Sequence, residues 1–334
     1  MSAFAKSLAL LLALCAQGAL AQTISPVSGV TSVNRTMHQQ LSQGRLVALG
    51  DVHGSPFVVQ QLLDFLADEV NWQQVDDIAV EFGNQRYQAL ADRYILQGEA
   101  LPLTDVRAIW RNTLYFMAWQ YAVYEQLVVQ LHEWNLQRSH KVRLVLTEPE
   151  LDWQTLDLAA WQQHVAEREA GYQRLIEQQV IAKKHRAILL FGTFHLMKQP
   201  VQLSGRSADK FTSLVASLCR SYPDLIYVIW PRMAGDQVVA IADAAPPYLL
   251  PLAGSSLGQI PLRQLTGRVA AQDDTAMAAI ADAYLYLADV SRDAPPSAAA
   301  VSDATWQQEL QRRAKILGGR SQQQITQWLQ RYAH

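Results

Sequence analysis

The chain has 334 residues, 50% of them hydrophobic and 17% charged, which is enough apolar material for a large buried core and too much for a disordered chain. Its 28 Lys and Arg against 30 Asp and Glu leave a net charge of −2. No dense basic run occurs, so nucleic acid is set aside as a partner.

Met1 to Lys6 is a short basic start, Ser7 to Ala16 an apolar core and Ala19-Leu20-Ala21 a small-residue cleavage site, the build of a signal peptide over residues 1–21. The apolar core is too short to cross a bilayer of roughly 30 Å. Leu14 stands where a lipoprotein signal would carry a small residue before Cys15. We therefore expect export, with a periplasmic or secreted mature chain that begins at Gln22 and has no integral membrane segment. Cys219 then remains the sole cysteine, on a helical stretch from Ser207 to Ser221, and is expected to be a buried, inert thiol.

The first element of the mature fold is the apolar run that ends Gly50-Asp51-Val52-His53-Gly54. Ser55 as N-cap and Pro56 at the first helical position then open a helix from Phe57 to Val70. A second strand, Asp76 to Gly83, carries Glu81 at its end and leads into a helix over Asn84 to Gln97. Leu103 to Ser139 reads as a long aromatic-rich helical stretch whose rings are mostly core. Lys141 to Leu146 is the third strand, running into a loop with Glu148, Glu150 and Asp152, followed by a polar helix over Gln154 to Lys184. The fourth strand, Arg186 to Gly192, ends in Thr193-Phe194-His195. Leu225 to Trp230 and Gln237 to Ile241 are expected as a fifth and a sixth strand paired in a hairpin. Ala242 to Gly258 is expected as an irregular loop over the site. Helices at Asp273 to Ala281, Ala304 to Leu317 and Gln322 to Tyr332 follow, with a Pro/Ala/Ser-rich linker over Asp293 to Ala300.

Strands alternating with helices predict an α/β fold with a mainly parallel central sheet flanked by helices. Residues 22–334 form one domain in this reading, with a helical insertion over about 99–139 and a C-terminal helical segment over about 301–334. Parallel strands deliver their carboxyl ends to one edge of the sheet. Asp51 with His53, Glu81, Glu148 and His195 stand at four such ends, so His53 and His195 are expected within direct or metal-bridged reach. Two histidines and several carboxylates in one crevice either hold a divalent ion that activates water or act without metal, one imidazole being a general base oriented by a carboxylate. The metal candidates are His53, Glu81, His195 and Glu148.

Gly50-Asp-Val-His-Gly54 also resembles the opening motif of calcineurin-like metallophosphatases. Glu81-Phe-Gly-Asn-Gln85 stands where their second motif belongs, and no Gly-Asn-His occurs. A broader resemblance is carried, in order, by Gly50 to His53, Ile78 to Phe82, Arg93 to Gly98, Val106 to Arg111, Trp134-Asn135, Glu148 to Trp153, Gly192 to His195 and Asp282 to Leu287. In these the chain resembles an uncharacterised branch of the erythromycin esterase/ChaN/TraB/Tiki superfamily. The resemblance implies an α/β fold in which two Gly-x-x-His motifs, here Gly50 to His53 and Gly192 to His195, line one site with a Glu-bearing strand, here Glu81. The chain departs from the pattern with Asp51 in place of Glu and Glu148 in place of Asp.

Members include metal-independent esterases, metal-dependent proteases and haem-binding proteins, so the resemblance implies a site and leaves the substrate open. One expectation is an exported hydrolase of an ester or amide in a small-molecule or peptide substrate. In it Asp51 or Glu81 orients His53, His195 with Arg111 stabilises developing charge, and Arg111, Trp110 and Arg86 contact the substrate. The alternative is a haem- or metal-binding uptake protein with a His or Tyr iron ligand; without Cys-x-x-Cys-His, any haem is held non-covalently. A structural exported protein with a degenerate site is the third.

Overall fold

Leu46–Asp51 (β1), Asp77–Asn84 (β2) and Ala187–Gly192 (β4) are buried along their whole length, as strands under two helical layers must be. The computed structural model describes residues 29–205, 209–236, 238, 244–288, 290 and 294–332. The expected leader and its cleavage after Ala21 lie outside these residues, as does most of the strand expected over Gln237 to Ile241. With Arg143–Glu148 (β3), Ile226–Pro231 (β5), Tyr248–Pro251 (β6) and Ala283–Tyr286 (β7), the described strands form one seven-stranded sheet in the order β3-β2-β4-β1-β5-β7-β6. All neighbours are parallel except the β6/β7 pair at one edge.

Alternate strand residues enter opposite cores. Val47, Leu49, Ile78, Val80, Ile188 and Leu190 face a layer built on Val33–Ser42 (α1), Pro56–Ala67 (α2) and Ala122–Gln137 (α3). Leu46, Ala48, Ala79, Leu189 and Phe191 face Leu158–Ile176 (α4) and Leu214–Ser221 (α5). Each fully buried aliphatic side chain contributes about 1.5–3 kcal/mol relative to exposure, so this alternation fixes the register. A third, smaller core joins Phe116, Trp153 and Leu156 to the C-terminal helices Ala304–Leu317 (α6) and Gly319–Tyr332 (α7). No helix among the described residues is long and apolar enough to cross a membrane.

Several expected elements differ. Ser55 precedes α2 without a side-chain capping bond, and α2 stops at Ala67 because Asp68 caps a separate turn, Glu69–Trp72. Asn84 to Gln97 breaks into a 3-10 turn, a short α-helix and a π-turn. The stretch from Leu103 is likewise not one helix: it runs through short turns at Leu103–Val106, Ala108–Arg111 and Phe116–Trp119 before α3. Its rings bury in two different cores, which one straight helix could not reach. The segment expected as a loop over the site holds β6, which bonds to β7 at the sheet's edge. Asp273 to Ala281 holds only a four-residue helix, Met277–Ile280. Cys219 is free and partly buried.

Candidate active site

β4 lies between β1 and β2, with Asp51 in register with Gly192, so three strand ends converge. The result is a chain of carboxylates and imidazoles. Asp51 Oδ2 is 2.9 Å from His53 Nδ1 and accepts the hydroxyl of Tyr124 at 2.8 Å. His53 Nε2 faces Glu81 Oε2 at 3.7 Å, and His195 Nε2 is 3.3 Å from Glu81 Oε1. Beyond it, His195 Nδ1 lies 2.6 Å from Glu169 Oε1. Asp51, Glu81 and His195 are buried, whereas the His53 side chain is 33% exposed and open to the pocket. The Trp119 and His53 rings meet in a T-shaped contact, with centroids 4.5 Å apart.

Local sequence explains the closeness. Gly192 donates its N–H to Glu81 Oε2 at 2.6 Å. A Cβ at Gly192 would lie 2.8 Å from His53 Nε2 and 2.9 Å from Glu81 Oε2, so only glycine lets the three meet. Gly54, at φ +86°, turns the chain under Tyr121 in a conformation that side chains resist.

Burial alone would lower the His53 pKa, but the Glu81 charge and the Asp51 hydrogen bond raise it above the ordinary value. His195 is pushed up to about 9, since Glu81 and Glu169 outweigh its burial. Burial opposes ionisation of Glu81, yet His195, His53 and Arg168 hold its carboxyl well below the usual range. Asp51 Oδ1 is buried and accepts no hydrogen bond among the described residues.

Two spaces open beside these groups. One, of about 140 Å³, is lined by Asp51, His53, Thr193, Phe194, His195 and Arg268, among others. The second, of about 390 Å³, shares Phe194, His195 and Arg268 with it and adds Arg168, Ser204 and Phe211.

Three expected residues stand elsewhere, and a fourth, Glu148, lies within electrostatic reach of Glu81 and Arg168 but lines neither space. Arg111, expected to stabilise charge beside His195, is buried at the third core: its guanidinium meets Asp303 Oδ2 at 2.5 Å, donates to Ala299 O and stacks on Trp306. Trp110 is buried in the core of the α2/α3 layer. Arg86 pairs with Asp152 at 3.3 Å. None of these three lines either space. Glu148 is not a loop residue but the buried end of β3; its Oε2 accepts the N–H of Leu114, and burial pushes its pKa up to about 8.

No group of three or more His, Cys, Asp or Glu among the described residues is spaced to hold a metal ion. Glu81 Oε2 is engaged by Gly192, and both histidines have carboxylates at Nδ1 and Glu81 at Nε2. Glu81 and His195 as held here are thus poorly placed to take a metal, whereas His53 Nε2, 3.7 Å from Glu81 and beyond hydrogen-bond distance, is the imidazole nitrogen left open.

Sequence reading missed Tyr124, Trp119, Glu169, Arg168 and Arg268. Trp119 and Tyr124 belong to the aromatic stretch whose rings read as mostly core, with a few able to roof a pocket. Glu169 and Arg168 sit in a polar helix whose many charges look alike. The far end of the chain also holds this wall in place: Trp306 Nε1 donates to Gln120 Oε1 at 2.8 Å, and Ser297 N donates to Gln120 O at 2.7 Å.

No family model and no curated protein matches the chain. Among solved structures, a mutant of the erythromycin esterase EreC in its open conformation aligns over 78% of this chain and 94% of its own, with 11% identity and a TM-score of 0.51. A succinoglycan biosynthesis protein aligns over 76% and 90% with 9% identity and a TM-score of 0.46. The haem-binding ChaN of Campylobacter jejuni aligns over 61% and 87% with 12% identity and a TM-score of 0.41. The likeness to EreC shows a shared α/β fold, as the sequence resemblance implied.

Proposed function

We propose that this chain is an exported hydrolase of an ester or amide bond, with His53 as general base and no metal in the reaction. The observation that supports it is the Asp51–His53 pair. A carboxylate on Nδ1 fixes the tautomer, so Nε2 is the basic nitrogen, and it is turned toward Glu81 and the 140 Å³ space. A water at Nε2 gives up its proton to His53 as its oxygen attacks the carbonyl carbon. The carboxylates of Asp51 and Glu81 flank the imidazolium and steady it. The proton then passes from His53 to the departing oxygen or nitrogen, and the base is restored. His195, kept protonated by Glu81 and Glu169, adds positive charge near the developing oxyanion, the role expected of Arg111.

Release of 4-nitrophenol from short-chain 4-nitrophenyl esters tests the proposal. Turnover that survives exhaustive chelation and is lost in His53→Ala supports it. Turnover abolished by the chelator, or retained by the variant, overturns it. The haem reading has no observation of its own in this site, and a Soret band in the purified protein would revive it.

A further inference from the structure

The arginines of this protein are, as a rule, matched to carboxylates. Arg107, Arg111, Arg138, Arg143 and Arg313, each with a side chain less than a fifth exposed, meet Glu125, Asp303, Glu69, Asp92 and Glu309 at 2.9, 2.5, 3.1, 2.9 and 2.7 Å. Arg168 departs from the rule. It is only 16% exposed, and its Nε is buried without a hydrogen-bond partner among the described residues. The one carboxylate at ion-pair distance, Glu169 Oε1 at 3.8 Å, already stands 2.6 Å from His195. Tyr115 lies against the flat face of the guanidinium, 4.8 Å from centroid to Cζ, and holds it without supplying an acceptor.

A largely buried guanidinium has five N–H donors, and leaving them unmet is costly. Arg168 lines the 390 Å³ space, and so does Arg268, whose guanidinium lies 5.5 Å from the Phe194 ring and has no carboxylate at ion-pair distance among the described residues. That space opens onto His195, where the 140 Å³ space holding His53 also ends. Two arginines, one with its buried Nε unmet and one with no carboxylate at ion-pair distance among the described residues, thus flank a cavity one side chain away from the proposed reacting bond.

We infer that the substrate carries an anionic group, a carboxylate or a phosphate, which docks between Arg168 and Arg268 while the bond to be cut lies at His53. The inference rests on the hydrolase reading for the reaction but not for the binding of the anion. Guanidinium donors suit either anion through paired N–H···O bonds. The carboxylates nearby, Glu81 and Glu169, are shared with the two imidazoles, and neither makes a hydrogen bond to the Arg168 guanidinium among the described residues.

Two measurements test it. The first is calorimetric titration of the full chain with succinate and with inorganic phosphate at fixed ionic strength. The wild type is expected to bind at least one of them, which also says which anion the site prefers. Arg168→Gln and Arg268→Gln are each expected to weaken that binding tenfold or more. Arg268 is exposed, so its variant folds even if the other does not. The second compares kcat/KM for 4-acetoxybenzoate and 4-acetoxybenzamide, esters of like size that differ in charge. The ratio is expected to favour the acid in wild type and to fall tenfold or more in either variant. No anion binding by wild type, or variants that bind as wild type does, overturns the inference. Turnover with an unchanged ratio overturns it while leaving the hydrolase reading intact. Arginine-dependent anion binding without any ester turnover upholds the anion site and removes the hydrolase.

Discussion

Glu81 is clamped by Gly192: the backbone N–H at the end of one strand meets the carboxylate of its neighbour at 2.6 Å. This bond fixes the carboxylate that both imidazoles face, so the charge on Glu81 governs both titrations.

Replacing Glu81 with Gln keeps a carbonyl acceptor for Gly192 but removes that charge. The His195 pKa should fall from about 9, and that of His53 should fall with it. Hydrolysis should drop by roughly a hundredfold or more, the scale of losing one electrostatic partner in a preorganised site. Titration of the imidazole carbons by NMR checks the first point; a His195 pKa that stays in place would break the coupling.

The pH profile follows from the same charges. His53 must be neutral to accept a proton, and its pKa is raised above 6.5, so kcat/KM should climb through a limb whose midpoint lies above that value. His195 contributes while protonated, so activity should decline as it deprotonates near about 9. The expected bell therefore sits on the alkaline side of neutrality. A profile flat from about pH 6 to 10 would remove both histidines from the reaction.

Gly192→Ala should spare the fold and harm the site. The added methyl would press on His53 Nε2 and Glu81 Oε2, and displacement of a base by about 1 Å can cost on the order of 10²-fold in rate. Matched thermal unfolding with the wild type, together with kcat/KM, separates the two effects. Undiminished activity would show that the ring has room the geometry denies.

Glu148 yields a stability prediction with a definite sign. Its folded-state pKa of about 8 exceeds its ordinary 4.5, so the native state holds the proton more tightly. Stability from this group is present below about 4.5, declines as the pH climbs from there to about 8 and is flat beyond. Glu148→Gln lacks this loss while keeping an acceptor for Leu114. It should gain on wild type between about pH 5 and 9 by on the order of a few kcal/mol. Urea unfolding at the two pH values measures it, and an equal difference at both would show that the carboxyl is not buried as described.

The strand ends were legible because a strand under two helical layers must be apolar throughout, so Gly50 and Gly192 stand out as the places where ionisable residues begin. Glu169 was not legible, since its meeting with His195 depends on the pitch of α4 and not on any local pattern. Arg111 misled for the opposite reason. An arginine among aromatics resembles a substrate contact, and only Asp303, far along the chain, reveals it as an ion-paired strut. Strand β7 was hidden by its length, Ala283–Tyr286, and β6 by a segment rich in proline and glycine.

The bonds from Ser297 and Trp306 to Gln120 reach beyond the finished molecule. Residues 116–120, which bring Trp119 against His53, are tethered by Ser297 and Trp306, which are synthesised long after them. A nascent or truncated chain that ends before Ser297 has both histidines and Glu81 but lacks these tethers on the wall beside His53. The wall beside His53 is therefore completed only after all the described strands of the sheet have been made.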